Sequence, residues 1–307
     1  MSAASRALLL LVPLVVFTVA GSLYLPPRDQ AADSGSEVFL KELPPLPAWA
    51  ATPLPDFSGY VDTTEKKAAF FAFLYPRIVL ANSRILLERN YLLSLEKKAS
   101  LTPQEKHWLD QQAQRLRIKA VTGSRQQFEL LKKRLDVIPP SLVMAQAANE
   151  SAWGTSRFAR HGNNLFGQWC FTRGCGLVPQ SRVEGARHEV AKFASPYRSI
   201  RAYIENLNRH PTYQALREIR LKDRAEQTPL SGLEMAEGLL GYSERGEAYV
   251  EEIRAMIHYN NLEFYDDAFR TMVQGRNPEA LLQLASTPQE AGLLPGPTID
   301  ENGPAEG

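Results

Sequence analysis

Glu150 closes an apolar helical stripe. Over Leu142 to Ser151 the residues Val143, Ala147 and Glu150 fall at i, i+4 and i+7, which puts the carboxylate at the end of one face. A carboxyl group so placed points inward or into a cleft, where loss of water favours its protonated form. Glycoside cleavage needs such an acid, because a proton must pass to the leaving oxygen near neutral pH. The plainer alternative is an ion pair with an arginine such as Arg157 that only closes the helix end. Downstream, Trp153, Phe158, Phe166, Trp169 and Phe171 crowd one segment, and aromatic faces stack on sugar rings as readily as on one another. Gly154, Gly162 and Gly167 allow close backbone approach to a ligand, or simply make turns.

Other chemistries find little support. His107, His161, His188, His210 and His258 show no pair at metal-ligand spacing, so no metal site is expected. No serine sits in a Gly-x-Ser-x-Gly turn. Lys and Arg total 35 against 34 Asp and Glu, which leaves no basic stripe to displace counterions from a nucleic acid. Cys170 and Cys175 are the only cysteines; export would permit a small loop-closing disulfide between them, and two free thiols are the alternative.

The elements that must position Glu150 follow from periodicity and turn chemistry. Arg6 precedes the apolar run Ala7 to Ala20, with Gly21 and Ser22 after it, so residues 1–25 read as a signal peptide or, if uncleaved, a signal anchor. Residues 26–60 are rich in proline and read as a linker without a packed element. From Thr63 the pattern becomes helical, with Pro76 expected to kink or restart the run before a long helix to about Leu95. Thr102-Pro103 opens a second helix and Gln126 to Leu135 forms a third; the apolar faces of residues 61–135 favour packing on the domain that follows. Ile138-Pro139-Pro140-Ser141 stops one helix and starts the one bearing Glu150. Between Leu177 and Phe193 the helical period disappears, which predicts a short β-hairpin or lobe. Helices resume at Ser195-Pro196, cover Leu233 to Leu240, and end strongly with Tyr249, Ile253, Met256 and Ile257. Residues 275–307 read as a disordered tail.

The stretch Pro140 to Gly167, PSLVMAQAANESAWGTSRFARHGNNLFG, resembles the signature of bacterial β-N-acetylglucosaminidases of the flagellar muramidase and autolysin type. Glu150, Ser151, Trp153, Gly154, Ser156, Asn163, Asn164, Leu165, Phe166 and Gly167 carry the likeness, which continues through Lys192 to Pro196 and Asn208 to Tyr213 and covers roughly residues 135–260. With its signal segment and the run Tyr242-Ser243-Glu244-Arg245-Gly246, the chain looks most like the Bax subgroup of proteobacterial envelope proteins.

The resemblance implies a mainly α (α+β) fold, a lysozyme-like helical domain over residues 136–274 with a small β-hairpin lobe, and Glu150 as general acid. A second carboxylate is expected on the lobe, at Glu184 in the turn Val183-Glu184-Gly185, with Glu189 as the alternative or a solvated hairpin charge. Tyr213 matches a family tyrosine and is expected to orient water or an acetamido group. Trp153, Asn164, Phe166, Gly167, Trp169 and Tyr242 are the expected substrate-binding residues, whereas Ser243 to Gly246 reads better as a helix-joining turn with a Glu-Arg pair. The implied activity is hydrolysis of peptidoglycan glycan strands at the β-1,4 bond after N-acetylglucosamine, with no cofactor, in the periplasm or envelope, and with inner-membrane anchoring through the N-terminal segment open. A lytic transglycosylase and a non-catalytic glycan-binding scaffold are the competing readings.

Overall fold

The computed structural model describes residues 45–295, apart from 181, 183 and 184. The expected signal segment, the first part of the linker, Glu184 and the last residues of the tail therefore lie outside the described residues.

Helix α1 (Thr63–Glu96) is the central element. Asp62 caps it, accepting from the Glu65 amide at 2.8 Å, so the cap stands one residue ahead of the expected threonines. Pro76 lies inside the helix, which runs on through it without restarting. Between Phe70 and Leu87 nearly every side chain is buried, so α1 has core on all sides and its apolar length belongs to the interior. Around it pack α3 (Arg125–Arg134), α4 (Pro140–Ser151), α6 (Pro196–Arg209), α10 (Glu263–Val273) and α11 (Pro278–Leu284). The remaining helices are α2 (Pro103–Arg115), α5 (Arg157–Gly162), α7 (Gln214–Glu226), α8 (Gly232–Met235) and α9 (Glu247–Tyr259). Among the described residues the fold is mainly α with one small antiparallel sheet.

Its three strands, β1 (Trp169–Cys170), β2 (Gly176–Leu177) and β3 (Glu189–Ala191), lie in the order β1-β3-β2. Trp169 pairs with Val190 on one side of β3, and Leu177 pairs with Val190 on the other. The lobe thus begins earlier than the loss of helical period suggests, inside the aromatic segment. Cys170 and Cys175 are disulfide-bonded across a Cα separation of 6.2 Å and form the lobe's own small core with Ala191.

Three expectations need correction. The proline-rich stretch contributes packed turns at Ala48–Ala51 and Phe57–Gly59, whose Trp49, Ala50 and Phe57 are buried in the main core. Residues 278–293 form α11 and a 3-10 turn, Glu290–Leu293, with Leu281, Leu284, Ala285 and Leu293 buried in that core. Composition suggested disorder because the apolar residues here are few; a short helix needs only one such face when a waiting groove completes it. The helix expected over Leu233 to Leu240 is split, with α8 giving way to a 3-10 turn at Ala236–Leu239.

Candidate active site

Helix α4 is held at both ends. At its start Asp266 of α10 accepts from the Ser141 amide (2.8 Å), the Ser141 hydroxyl (2.6 Å) and the Gly232 amide (3.1 Å), capping donors that Pro139 cannot cap. Burial pushes this carboxyl up to about 6, against the pull of its three donors. Just upstream, Asp136 is buried among Arg89, Arg224 and Arg220, and these charges hold it well below the ordinary range despite its burial. Arg220 also donates to the Asp136 and Val137 carbonyls, fixing the chain as it enters α4.

At the other end, Ala152, Trp153 and Gly154 all have positive φ, so the chain leaves the helix in a tight left-handed turn just past Glu150. Ser151 ties the turn, donating to the Ala147 carbonyl at 2.5 Å and accepting from the Gly154 amide at 2.8 Å. A Cβ on Gly154 would come within 2.7 Å of the Phe57 ring.

Glu150 is half-buried. Burial pushes its carboxyl above the ordinary glutamate range; hydrogen bonds from Tyr249 and Asn149 pull it down, Glu252 raises it and Arg245 lowers it. Its Oε1 accepts from the Tyr249 hydroxyl at 2.7 Å. Its Oε2 lies by Gly167, where a Cβ would stand 4.0 Å away and where φ is +63°. The left-handed backbone there favours glycine. The ion pair with Arg157 does not form; Arg157 donates instead to the Val178 carbonyl at 3.1 Å.

Tyrosines surround the carboxyl. The Tyr242 ring stacks on that of Tyr249 at 5.2 Å and 9°, and its hydroxyl donates to the Phe166 carbonyl at 3.2 Å. Tyr213 lies 6.0 Å from Tyr242, between it and His210. Burial raises the Tyr203, Tyr242 and Tyr249 hydroxyls far above the usual phenol range, and the charge of Glu150 adds to it, so all three stay protonated donors.

The family model described as mannosyl-glycoprotein endo-beta-N-acetylglucosaminidase matches residues 125–262. Protein bax of Escherichia coli (strain K12) is 36% identical over 208 residues, which are 67% of this chain and 74% of that protein. The chain belongs to the Bax-like glucosaminidases. It is accordingly a glycoside hydrolase of the endo-β-N-acetylglucosaminidase type. No solved structure matches the chain.

Within this glucosaminidase the expected site residues separate into two groups. Glu150, Gly167, Tyr242 and Tyr213 come together, with the Phe166 carbonyl joining them through Tyr242. Trp153 instead turns to α1, edge-on to Phe70 and Phe71 at 5.8 and 5.3 Å, with Lys67 over its ring. Asn164 is buried and spent: Nδ2 donates to the Gln168 and Ala191 carbonyls, while Oδ1 accepts from the Phe166 and Gln168 amides. It shapes the loop that carries Gly167 and offers a substrate no free atom. The Phe166 ring stacks on Tyr203 at 3.9 Å rather than opening to a ligand. Trp169 stacks on His188 at 4.2 Å, on the lobe.

Glu189 is neither a solvated charge nor an open carboxylate. It is buried, and its two oxygens accept from the Gly174 and Gly176 amides at 2.9 and 2.8 Å, bracing the disulfide loop. Cys170, Cys175 and Glu189 lie close together, but the sulfurs are bonded to each other and the carboxylate is engaged, so the cluster suits a brace and not an ion. In the turn after Tyr242, Arg245 pairs with Glu252 of α9 at 2.7 Å rather than with its neighbour Glu244.

Tyr249, Gln146 and Tyr203 are the site residues that sequence reasoning passed over. Tyr249 and Tyr203 sit in apolar stripes and read as core. Gln146 carried a usable signal, being an amide one helical turn before Glu150 inside the run Leu142 to Ala148 that is otherwise apolar.

Proposed function

We propose that this glucosaminidase cuts peptidoglycan glycan strands at the β-1,4 bond following N-acetylglucosamine, with Glu150 as general acid. The observation that carries the reading is the state of that carboxyl: half-buried and raised by burial, held on Oε1 by Tyr249, and with Oε2 beside the glycine backbone at Gly167. A group so tuned keeps its proton toward neutral pH and can deliver it to the departing sugar oxygen. Activity falls as pH rises through the Glu150 pKa, because the ionised form has no proton to give.

Glu184, next to Gly185 in the sequence, or the acetamido group of the substrate assists the second half of the reaction. Tyr213 and Tyr242 border the reacting sugar, and Trp169 offers a stacking face. The step uses carboxyl groups, or one carboxyl group with the substrate acetamide, and asks for no metal or cofactor. The partner is the glycan strand and not a nucleic acid, in keeping with the balanced net charge of +1. The place of work is the periplasm or envelope, reached through residues 1–25 as a signal peptide or anchor.

The test is mass spectrometry of borohydride-reduced products from purified peptidoglycan treated with the full chain, with Glu150→Gln alongside. Reduced N-acetylglucosamine ends are expected from wild type, with at least about a 100-fold loss in the variant. Anhydromuramyl ends would make the protein a lytic transglycosylase, and binding to sacculi without products would make it a scaffold.

A further inference from the structure

Behind Glu150 a chain of polar side chains runs into the core. The Tyr203 hydroxyl donates to Gln146 Oε1, Gln146 Nε2 donates to the Tyr249 oxygen at 2.8 Å, and the Tyr249 hydroxyl donates to Glu150 Oε1 at 2.7 Å. We propose that Gln146 and Tyr203 are positioning residues that lock Tyr249 as a donor to Oε1, so that the transferable proton of Glu150 resides on Oε2.

The argument is one of polarity. A phenol hydroxyl has a single hydrogen to donate. With an amide N–H already pointing at its oxygen, Tyr249 can aim that hydrogen only at Glu150. The amide is fixed in turn by Tyr203. Reversed, Gln146 would offer its oxygen to Tyr249 and draw the hydrogen away from Glu150, while the Tyr203 hydroxyl would lose its acceptor. That loss is costly here, because Gln146 is 0% and Tyr203 1% exposed. The rings cannot turn aside either, since Phe166 stacks on Tyr203 at 3.9 Å and Tyr242 stacks on Tyr249. Donation to Oε1 stabilises the carboxylate and opposes the effect of burial, which poises the acid between its two states. The charged and titratable groups facing Glu150 are Tyr203 of α6, Tyr242 and Arg245 of the turn before α9, and Tyr249 and Glu252 of α9.

The lock rests on Glu150 being the acid of the proposed reaction, yet it can be read without turnover. The experiment is a carbon-13 carboxyl NMR titration of Glu150 in the full chain, assigned by Glu150→Gln, for wild type, Gln146→Met and Tyr203→Phe. Gln146→Met keeps an unbranched side chain of similar size, and Tyr203→Phe removes one hydroxyl and keeps the stack. In both, Glu150 should titrate higher, by roughly half a pH unit. The alkaline limb of glycan cleavage should move with it, which simple loss of packing would not cause; thermal melting monitors packing separately. An unmoved Glu150 titration in the two folded variants overturns the lock. If the titration moves but wild type releases no glycan products, the lock stands and the glycan-cutting reading falls.

Discussion

Three consecutive left-handed residues follow Glu150, and two of them, Ala152 and Trp153, carry a Cβ that disfavours that conformation by about 1 kcal/mol or more each. The turn persists because Ser151 bonds both its ends and Trp153 is wedged among Phe70, Phe71 and Lys67. Most of the residues that make this stretch recognisable are therefore scaffold: serine ties, glycine lets Phe57 close in, and tryptophan anchors to α1. Gly154→Ala should cost about 2–4 kcal/mol, from the φ of +76° and the 2.7 Å approach of the Phe57 ring, seen as a lower melting temperature. At this scale Glu150 was legible because a lone carboxyl on an apolar stripe needs a reason. Tyr249 was not, since a phenol on such a stripe looks like core, and the direction of its hydroxyl depends on Gln146 and Glu150 meeting it from another helix.

Among the elements, the loop Asn164 to Gln168 brings backbone to the Glu150 carboxyl, and one buried amide organises it. Asn164→Ala removes four hydrogen bonds at a site 1% exposed and should cost about 2–4 kcal/mol. Glycan cleavage should drop by more than the unfolded fraction explains, because Gly167 loses its place beside Oε2. Assaying well below the melting temperature separates the two effects; full activity in a folded variant would deny the loop its role. Helix α6 was readable from its apolar stripe, and α1 from apolar residues recurring at helical spacing along a long run. Helix α7 was not, since it buries Arg217, Arg220 and Asp223 beside Leu216, and a face filled by arginines leaves no hydrophobic period. The lobe was readable only as a loss of helical period. Its central strand, with Glu189 facing inward to two glycine amides, depends on pairings a sequence pattern does not encode.

The molecule as a whole is fastened at Arg77. This arginine is 0% exposed and donates to the Phe73 and Trp49 carbonyls, the Thr52 hydroxyl and the Glu290 carboxylate. Trp49 donates to the Thr287 carbonyl at 2.9 Å, and Arg84 reaches the Ala285 carbonyl at the same distance. Residues 48–52 and 285–293, which look like linker and tail by composition, are thus two halves of one seam along α1. Arg77→Met strands these acceptors and should cost about 3–5 kcal/mol. Hydrogen exchange should rise in both segments together; protection lost in only one of them would show that they are not joined.

The same seam bears on how the chain comes to be made. Trp49 and Thr287 are 238 positions apart, so the earlier partner emerges long before the later one exists. Until residues 285–293 follow, Trp49 lacks the Thr287 carbonyl and Arg77 lacks the Glu290 carboxylate, so the early segment stays only partly fastened. Locking is therefore a late event in the birth of this protein, and a message truncated shortly before Ala285 would yield a chain unfinished at both ends at once.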